Sequence, residues 1–239
     1  MAYEGFVIQR DISFDIHQGD IFIVMGGNGC GKSTLLRHLL GLKMPQAGDI
    51  YYQQANLWHI SPEERHKIMR RNGVMYQSGA LWSSLTLEEN IALPLHEYTN
   101  LSASEIKGLA YLKLALVGLV GFESYYPSEI SGGMKKRAGL ARALALDPDI
   151  LFFDEPSAGL DPLSAKLLDD LILSIQASLG TTIVVVTHDL PSLFAIGTDA
   201  VFLDSETKTL VAQGAPKELL KHCHHPVVQQ FLNRGETKL

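Results

Sequence analysis

Residues Gly26-Gly27-Asn28-Gly29-Cys30-Gly31-Lys32-Ser33 read as glycine, four intervening residues, then Gly-Lys-Ser. Small side chains at this spacing let the backbone N–H groups of the whole run, Asn28 and Cys30 included, wrap phosphate oxygens at the positive end of a following helix. Lys32 would neutralise the β and γ oxygens, the Ser33 hydroxyl could ligate magnesium, and Thr34 adds a second hydroxyl. Further along, Asp154-Glu155 directly follows Leu151-Phe152-Phe153. That places two carboxylates at the carboxyl end of a buried strand, where open α/β sheets hold their ligands. One carboxylate, Asp154, can hold a metal through water, and the other, Glu155, can polarise an attacking water. A third run, Ser131-Gly132-Gly133 at a helix start, makes a second anion-binding terminus.

The elements needed to position these groups are visible around them. Asp20 to Met25 is an apolar run rich in β-formers that ends in Gly26-Gly27, and Ser33 to Leu40 carries leucines at helical spacing. Similar apolar strands recur at Ile150 to Phe153 and Thr182 to Val186, each followed by polar and then helical sequence. Continuous apolar strands of this kind suit an α/β fold with a parallel sheet covered on both faces. Between Gln77 and Ser131 the texture changes. Thr86-Leu87-Glu88-Glu89 and Ser102-Ala103-Ser104-Glu105 are helix starts, the second leading through Leu116, which predicts a helical subdomain over 78–131 inserted into a core of 1–77 and 132–239. Leu163 to Leu179 reads as a further helix, and the tail from Ala215 as a terminal one.

Composition narrows the function. A chain of 239 residues with 46% hydrophobic content can bury one substantial core, and is too short for two such cores. A net charge of −6 argues against an extended nucleic-acid surface, so no nucleic-acid partner is expected. No apolar run approaches the roughly 20 residues that span a bilayer. The start lacks a basic segment followed by an apolar one, so the expected location is cytoplasmic. The two cysteines, Cys30 and Cys223, read as free thiols of a reducing compartment, and Cys30 is expected to make the loop sensitive to thiol oxidants. Lys135-Lys136-Arg137 reads as one exposed helix face serving solubility, and His222-Cys223-His224-His225 as solvated surface.

Ile130-Ser131-Gly132-Gly133-Met134-Lys135-Lys136-Arg137, followed by Ala-Gly-Leu-Ala-Arg142-Ala143-Leu144, resembles the signature of ABC transporter ATPases, with Met134 in place of the usual glutamine. The resemblance continues in order along the chain. Gln77 after Gly73-Val74-Met75-Tyr76 is similar to the Q-loop glutamine that senses magnesium and water, Ala158-Gly159-Leu160-Asp161 to the D-loop, and His188 to the switch histidine on the γ-phosphate. Tyr3 falls where the family places the aromatic that stacks on adenine, although members usually have a strand ahead of it.

Membership would imply a P-loop NTPase (RecA-like) core, a mainly parallel sheet with an antiparallel β edge, and an inserted α-helical subdomain. It would also imply ATP with Mg2+ held through Ser33, Gln77 and Asp154, and catalysis by Glu155, His188, Lys32 and Gln77. Ser131, Gly132, Gly133 and Asp161 would serve a nucleotide from the opposite subunit of a head-to-tail homodimer. The run Gln77-Ser78-Gly79-Ala80-Leu81 through Pro94-Leu95, with the terminal His-Pro-Val-Val-Gln-Gln-Phe-Leu, resembles the ATPases that work with MCE-domain proteins in bacterial lipid trafficking. That group would imply transmembrane permease subunits, a periplasmic MCE protein, a phospholipid cargo, and attachment through the permease to the cytoplasmic face of the inner membrane; the same motifs also fit a transporter ATPase for another substrate, an amino acid or lipoprotein, or a soluble ABC ATPase acting on DNA or ribosomes.

Overall fold

The computed structural model describes residues 1–3 and 6–233. In chain order the elements are β1 (Ala2–Tyr3), β2 (Phe6–Val7), β3 (Ile21–Gly26), α1 (Lys32–Leu39), β4 (Tyr51–Tyr52), β5 (Ala55–Asn56), α2 (Pro62–Met69) and β6 (Asn72–Met75). They continue with α3 (Leu87–Tyr98), α4 (Ala103–Leu116), α5 (Gly132–Ala143), β7 (Ile150–Asp154), α6 (Pro162–Leu179) and β8 (Thr182–Val186). The last are α7 (Leu190–Ile196), β9 (Asp199–Leu203), β10 (Leu210–Gln213), α8 (Pro216–His222) and α9 (Pro226–Leu232). Two compact units form, Met1–Met69 together with the chain from Thr182 onward, and Arg70–Thr181. Among the described residues no helix is long and apolar enough to cross a membrane.

In the first unit every residue of β3 is buried. It pairs in parallel with β8, from Ile21 opposite Ile183 to Val24 opposite Val186, and with β9, from Phe22 opposite Asp199 to Gly26 opposite Leu203. A central strand covered on both faces has no side for polar residues, which is why Ile-Phe-Ile-Val-Met is continuous rather than alternating. β10 runs antiparallel to β9 and supplies the antiparallel edge. Helix α1 follows the glycine loop and buries Leu35 and Leu36. β1 pairs antiparallel with β2, with Tyr3 opposite Phe6. The side chain of Tyr3, the expected adenine stacker, lies outside the described residues.

In the second unit β6 and β7 pair in parallel, from Asn72 opposite Ile150 to Met75 opposite Phe153. Both helix starts read from the sequence are capping boxes. The Thr86 hydroxyl accepts from Glu89 N while the Glu89 carboxylate accepts from Thr86 N, and Ser102 with Glu105 repeats the arrangement. Leu87, Ile91 and Leu95 give α3 its buried face.

The tail departs from expectation, with two short helices in place of one. His225 precedes Pro226, and the proline ring disfavours helical backbone at the residue before it. The break leaves carbonyls to satisfy, and Gln229 Nε2 donates to those of Leu219 (3.3 Å), Leu220 (2.9 Å) and Cys223 (2.7 Å). Helix α2 was not foreseen, because none of its residues is buried and it therefore carries no apolar period.

Asn90 on α3 is fully buried and closes the preceding loop. Its Oδ1 accepts from Trp82 N at 2.7 Å, and its Nδ2 donates to the carbonyls of Trp82 (3.1 Å), Leu85 (3.1 Å) and Thr86 (2.9 Å). Removing the amide takes a partner from several partly buried backbone groups at once. Asn90→Ala is expected to lower stability by about 2–3 kcal/mol in urea unfolding, and a loss under about 0.5 kcal/mol would show that water replaces the amide.

Candidate functional site

The glycine loop is shaped by contacts from three directions within the first unit. Gly26 ends β3 with φ +149°, and a Cβ there would lie 2.3 Å from Leu203 O and 2.7 Å from Cys30 Sγ, so only glycine fits between the loop and β9. Gln9, fully buried, donates from Nε2 to Cys30 O (2.8 Å) and to Asp204 O (2.7 Å), tying the far side of the loop to the chain leaving β9. Gly31 caps α1 in the left-handed region (φ 96°). The Lys32 side chain folds back over its own loop, with Nζ donating to Gly26 O at 2.8 Å and Gly27 O at 3.0 Å, and is only 8% exposed. An ammonium held by carbonyls of the loop it serves is aimed at whatever the loop encloses. At Gly27, by contrast, an added Cβ meets nothing within 4 Å. The site thus combines a fixed cation, a helix N-terminus and open space beside the backbone, the arrangement an anionic phosphate chain requires.

Strand register brings His188 to the same edge. Val186 lies opposite Val24, and His188 and Gly26 each follow their partner by two residues. Thr187 between them is fully buried, its N–H donating to Val24 O at 3.4 Å, while His188 is exposed. Ser33 is exposed on the first turn of α1 and Thr34 half-buried beside it.

The second unit gathers a different set. Register places Met75 opposite Phe153, so Gln77 and Asp154-Glu155 emerge from one edge of the β6–β7 pair. Glu155 has φ 50°, a left-handed backbone uncommon outside glycine. Its carbonyl accepts from Ala158 N (3.2 Å) and from Lys136 Nζ (3.3 Å). Lys136 also donates to Gln77 O. Two further donors on α5 reach the Gln77 loop, Arg142 Nη1 to Ala80 O (2.7 Å) and Nη2 to Gly79 O (3.1 Å). Ser131 caps α5, accepting from Met134 N at 3.3 Å, and both it and Gly132 are exposed, with nothing within 4 Å of a Cβ at Gly132. Gly133 faces Ser164 of α6, whose Oγ would sit 3.4 Å from an added Cβ. Asp161 is exposed and its carboxylate is engaged as the cap of α6, accepting from Leu163 N (3.1 Å), Ser164 N (3.0 Å) and Ser164 Oγ (2.5 Å). The Ser164 hydroxyl and amide hold its acid constant below the usual carboxylate range.

Two expectations are corrected by this geometry. Lys135-Lys136-Arg137 is not one solvated face. Lys136 is 6% exposed, and Arg137 Nη1 donates to Val117 O (2.9 Å) and Gly118 O (3.1 Å). Burial pushes the acid constants of Lys136 and Arg137 down, the carboxylates of Glu155 and Asp154 opposing the shift at Lys136. Cys30 is a free thiol, as expected, but it is 1% exposed, and burial pushes its acid constant up despite nearby Lys32. A buried thiol with little thiolate is a poor target for oxidants, contrary to the sensitivity expected from its place in the loop.

Sequence reasoning missed Gln9, Asn90, Lys136 and Arg142. Lys136 and Arg142 lie six residues apart, about 120° around α5, so no helical period in the sequence joins them.

A family model described as ABC transporter matches residues 9–158, and a second, an AAA domain, matches residues 123–195. A ribonucleotide transport ATP-binding protein, mkl, of Mycobacterium leprae is 43% identical over 95% of this chain and 64% of its own length, so the chain spans under two thirds of that relative. The intermembrane phospholipid transport system ATP-binding protein MlaF of Escherichia coli K12 is 40% identical over 93% of this chain and 82% of its own, and that of Haemophilus influenzae 38% over 97% and 86%. Among solved structures, a dimeric ATP-binding cassette in a post-hydrolysis state with ADP and Pi matches with a TM-score of 0.79 at 28% identity, over 90% of this chain and 94% of that one. The cbiO1 protein of Clostridium perfringens, part of an ABC transporter complex, matches with a TM-score of 0.84 at 26% identity, over 98% and 91%.

The empty space beside Gly27 separates ligand contact from folding. Gly27→Ala is expected to melt within about 2 °C of the parent while losing at least about tenfold in nucleotide affinity by fluorescence titration. An unchanged affinity would mean that phosphate does not run beside Gly27. N-ethylmaleimide is expected to label Cys223 in the native chain and Cys30 only after unfolding, as read by peptide mass spectrometry; rapid native labelling of Cys30 would show that the loop opens.

Proposed function

The chain belongs to the ABC transporter family of ATP-binding proteins, and from that premise we propose that it hydrolyses ATP as the motor subunit of a transporter that moves phospholipid between membranes. The observation that carries the cargo is coverage. The likeness to the MlaF proteins extends over 82–86% of their length, whereas it takes in 64% of the mycobacterial relative named for ribonucleotides. The run Gln77 to Leu95 and the terminal residues support the same reading.

In this reading the N–H groups of residues 27–34 and the Lys32 ammonium hold the β and γ phosphates, and Tyr3 stacks on adenine. Glu155 takes the proton of the attacking water, Gln77 orients that water, and His188 positions the γ-phosphate. Phosphoryl transfer depends mainly on positioning and on neutralising charge on the equatorial oxygens, so Lys32 and the backbone amides supply most of the stabilisation.

The donor chemistry fits magnesium. Among the described residues no group of three or more His, Cys, Asp or Glu side chains is arranged to hold a metal by itself. Mg2+ characteristically takes few protein oxygens and completes its shell with water and substrate phosphates. Ser33, Asp154 and Gln77 would hold it, and when bound it would neutralise charge on the phosphate oxygens. Ser131, Gly132 and Gly133, an exposed helix N-terminus, would meet the nucleotide of a second copy in a homodimer, with Asp161 beside them.

The working assembly would then be a homodimer at the cytoplasmic face of the inner membrane, held there by permease subunits, with an MCE-domain protein beyond. Glu155→Gln is expected to cut steady-state ATP hydrolysis of the complex by at least about 100-fold with nucleotide binding retained. Activity near the parent's would remove Glu155 from the role of base. For the cargo, the complex purified from detergent-solubilised membranes is expected to carry a multispanning protein and glycerophospholipid by mass spectrometry. Recovery of ribonucleotide-dependent stimulation without bound lipid would favour the other cargo.

A further inference from the structure

We propose that Lys136 is a positioning residue that holds Glu155 in its left-handed backbone conformation and clamps the Gln77 loop to the same point, so that helix α5 sets the geometry of both loops. The inference rests on the reading of Glu155 as the base, and it concerns a residue that donates to main-chain oxygens.

Three observations converge on it. Lys136 Nζ donates to the main-chain oxygens of both Gln77 and Glu155, residues 59 and 19 positions away along the chain. Its side chain is buried, so it is not available for solvent contact. A long amine gives up hydration only where fixed acceptors replace it, and here those acceptors are the carbonyls of two loops. Glu155, in turn, adopts φ 50°, which costs a non-glycine residue free energy and persists only where its surroundings enforce it. The carbonyl that Lys136 grips belongs to that same residue, and its orientation follows from the left-handed backbone.

The joint has no slack on its other side. Gly79 and Gly139 approach so closely that a Cβ on Gly139 would lie 3.0 Å from both Gly79 Cα and Gly79 O. Arg142, six residues beyond Lys136 on α5, grips Gly79 and Ala80. The Gln77 loop is therefore pressed on α5 by backbone contact and held by two cations. Arg142 grips that loop, whereas Lys136 spans from it to Glu155.

Burial pushes the acid constant of Lys136 down, and the field of Glu155 and Asp154 opposes that shift. Neutral replacements lose that attraction as well as the reach to two carbonyls. An arginine retains charge and donors and can span a similar distance.

The test uses the complex recovered from membranes, with kcat, KM and nucleotide affinity measured on Lys136→Met, Lys136→Gln, Lys136→Arg, Glu155→Gln and the Lys136→Met/Glu155→Gln pair. Lys136→Met is expected to lower kcat at least about 30-fold with KM and nucleotide affinity within about threefold of the parent, and Lys136→Arg to restore kcat to within about fivefold. Added to Glu155→Gln, Lys136→Met is expected to cost less than about threefold more, because both act through one group. A kcat near the parent's in Lys136→Met, or a full further loss on the Glu155→Gln background, would overturn the proposal. Should Lys136→Met not fold, Lys136→Gln takes its place, and the same loss of kcat supports the clamp while a kcat near the parent's overturns it. The two readings fail separately. An active Glu155→Gln sinks the base assignment, whereas an active Lys136→Met beside an inactive Glu155→Gln sinks only the clamp.

Discussion

A strand with every side chain buried can carry a polar group only beyond its last ladder bond, and this constraint arranges the chemistry of the molecule. β3 is apolar from Ile21 to Met25, β8 is buried from Thr182 to Val186, and β7 is buried from Leu151 to Phe153. No position within them could hold a charge without an unpaired desolvation cost of several kcal/mol. Lys32, His188, Gln77, Asp154 and Glu155 accordingly lie where their strands stop. Parallel pairing then does the rest within each unit, because partners in register end together. Gly26 and His188 fall at one edge, and Gln77 and Asp154 at another, through the pairings Val24 with Val186 and Met75 with Phe153.

Strand ends leave loops, and loops leave carbonyls. The structure answers with side-chain donors that each serve two or more main-chain oxygens. Lys32 serves Gly26 and Gly27, Gln9 serves Cys30 and Asp204, and Asn90 serves Trp82, Leu85 and Thr86. Arg137 serves Val117 and Gly118, and Arg142 serves Gly79 and Ala80. Lys136 completes the series with Gln77 and Glu155. A loop whose carbonyls are satisfied by one buried donor has fewer alternative conformations than one hydrated group by group, because any departure breaks more than one bond together.

The two kinds of feature were not equally legible in the amino-acid sequence. Loop glycines, strand-end carboxylates and capping boxes are local patterns, so Gly26 to Ser33, Asp154-Glu155, Thr86 with Glu89 and Ser102 with Glu105 were readable from neighbours alone. Gln9 and Lys136 were not, because their partners lie 195 and 59 residues away and nothing in their own surroundings distinguishes them from solvated side chains. Lys136 was misread for a definite reason. Three consecutive basic residues suggest one exposed face, yet successive residues of a helix point about 100° apart, so Lys135, Lys136 and Arg137 cannot share a face. The same geometry hides Arg142. At the tail, the restriction that Pro226 imposes on His225 divides a continuous helical run in two.

The choice between a cation and an amide as donor follows the local charge. Gln9, Asn90 and Gln229 serve carbonyls with neutral amides, which cost less to bury than an ammonium or guanidinium. Lys136, Arg137 and Arg142 are cations whose acid constants burial pushes down, so each carries a desolvation cost an amide would avoid. At Lys136 the opposing influence comes from Glu155 and Asp154, the carboxylates at the end of β7. A positive charge there offsets part of the repulsion between the adjacent acidic residues. Helix α5 thus contributes to that strand end twice, by gripping its backbone and by placing a cation beside its carboxylates. An amide could have provided the first of these, and only a buried cation provides both.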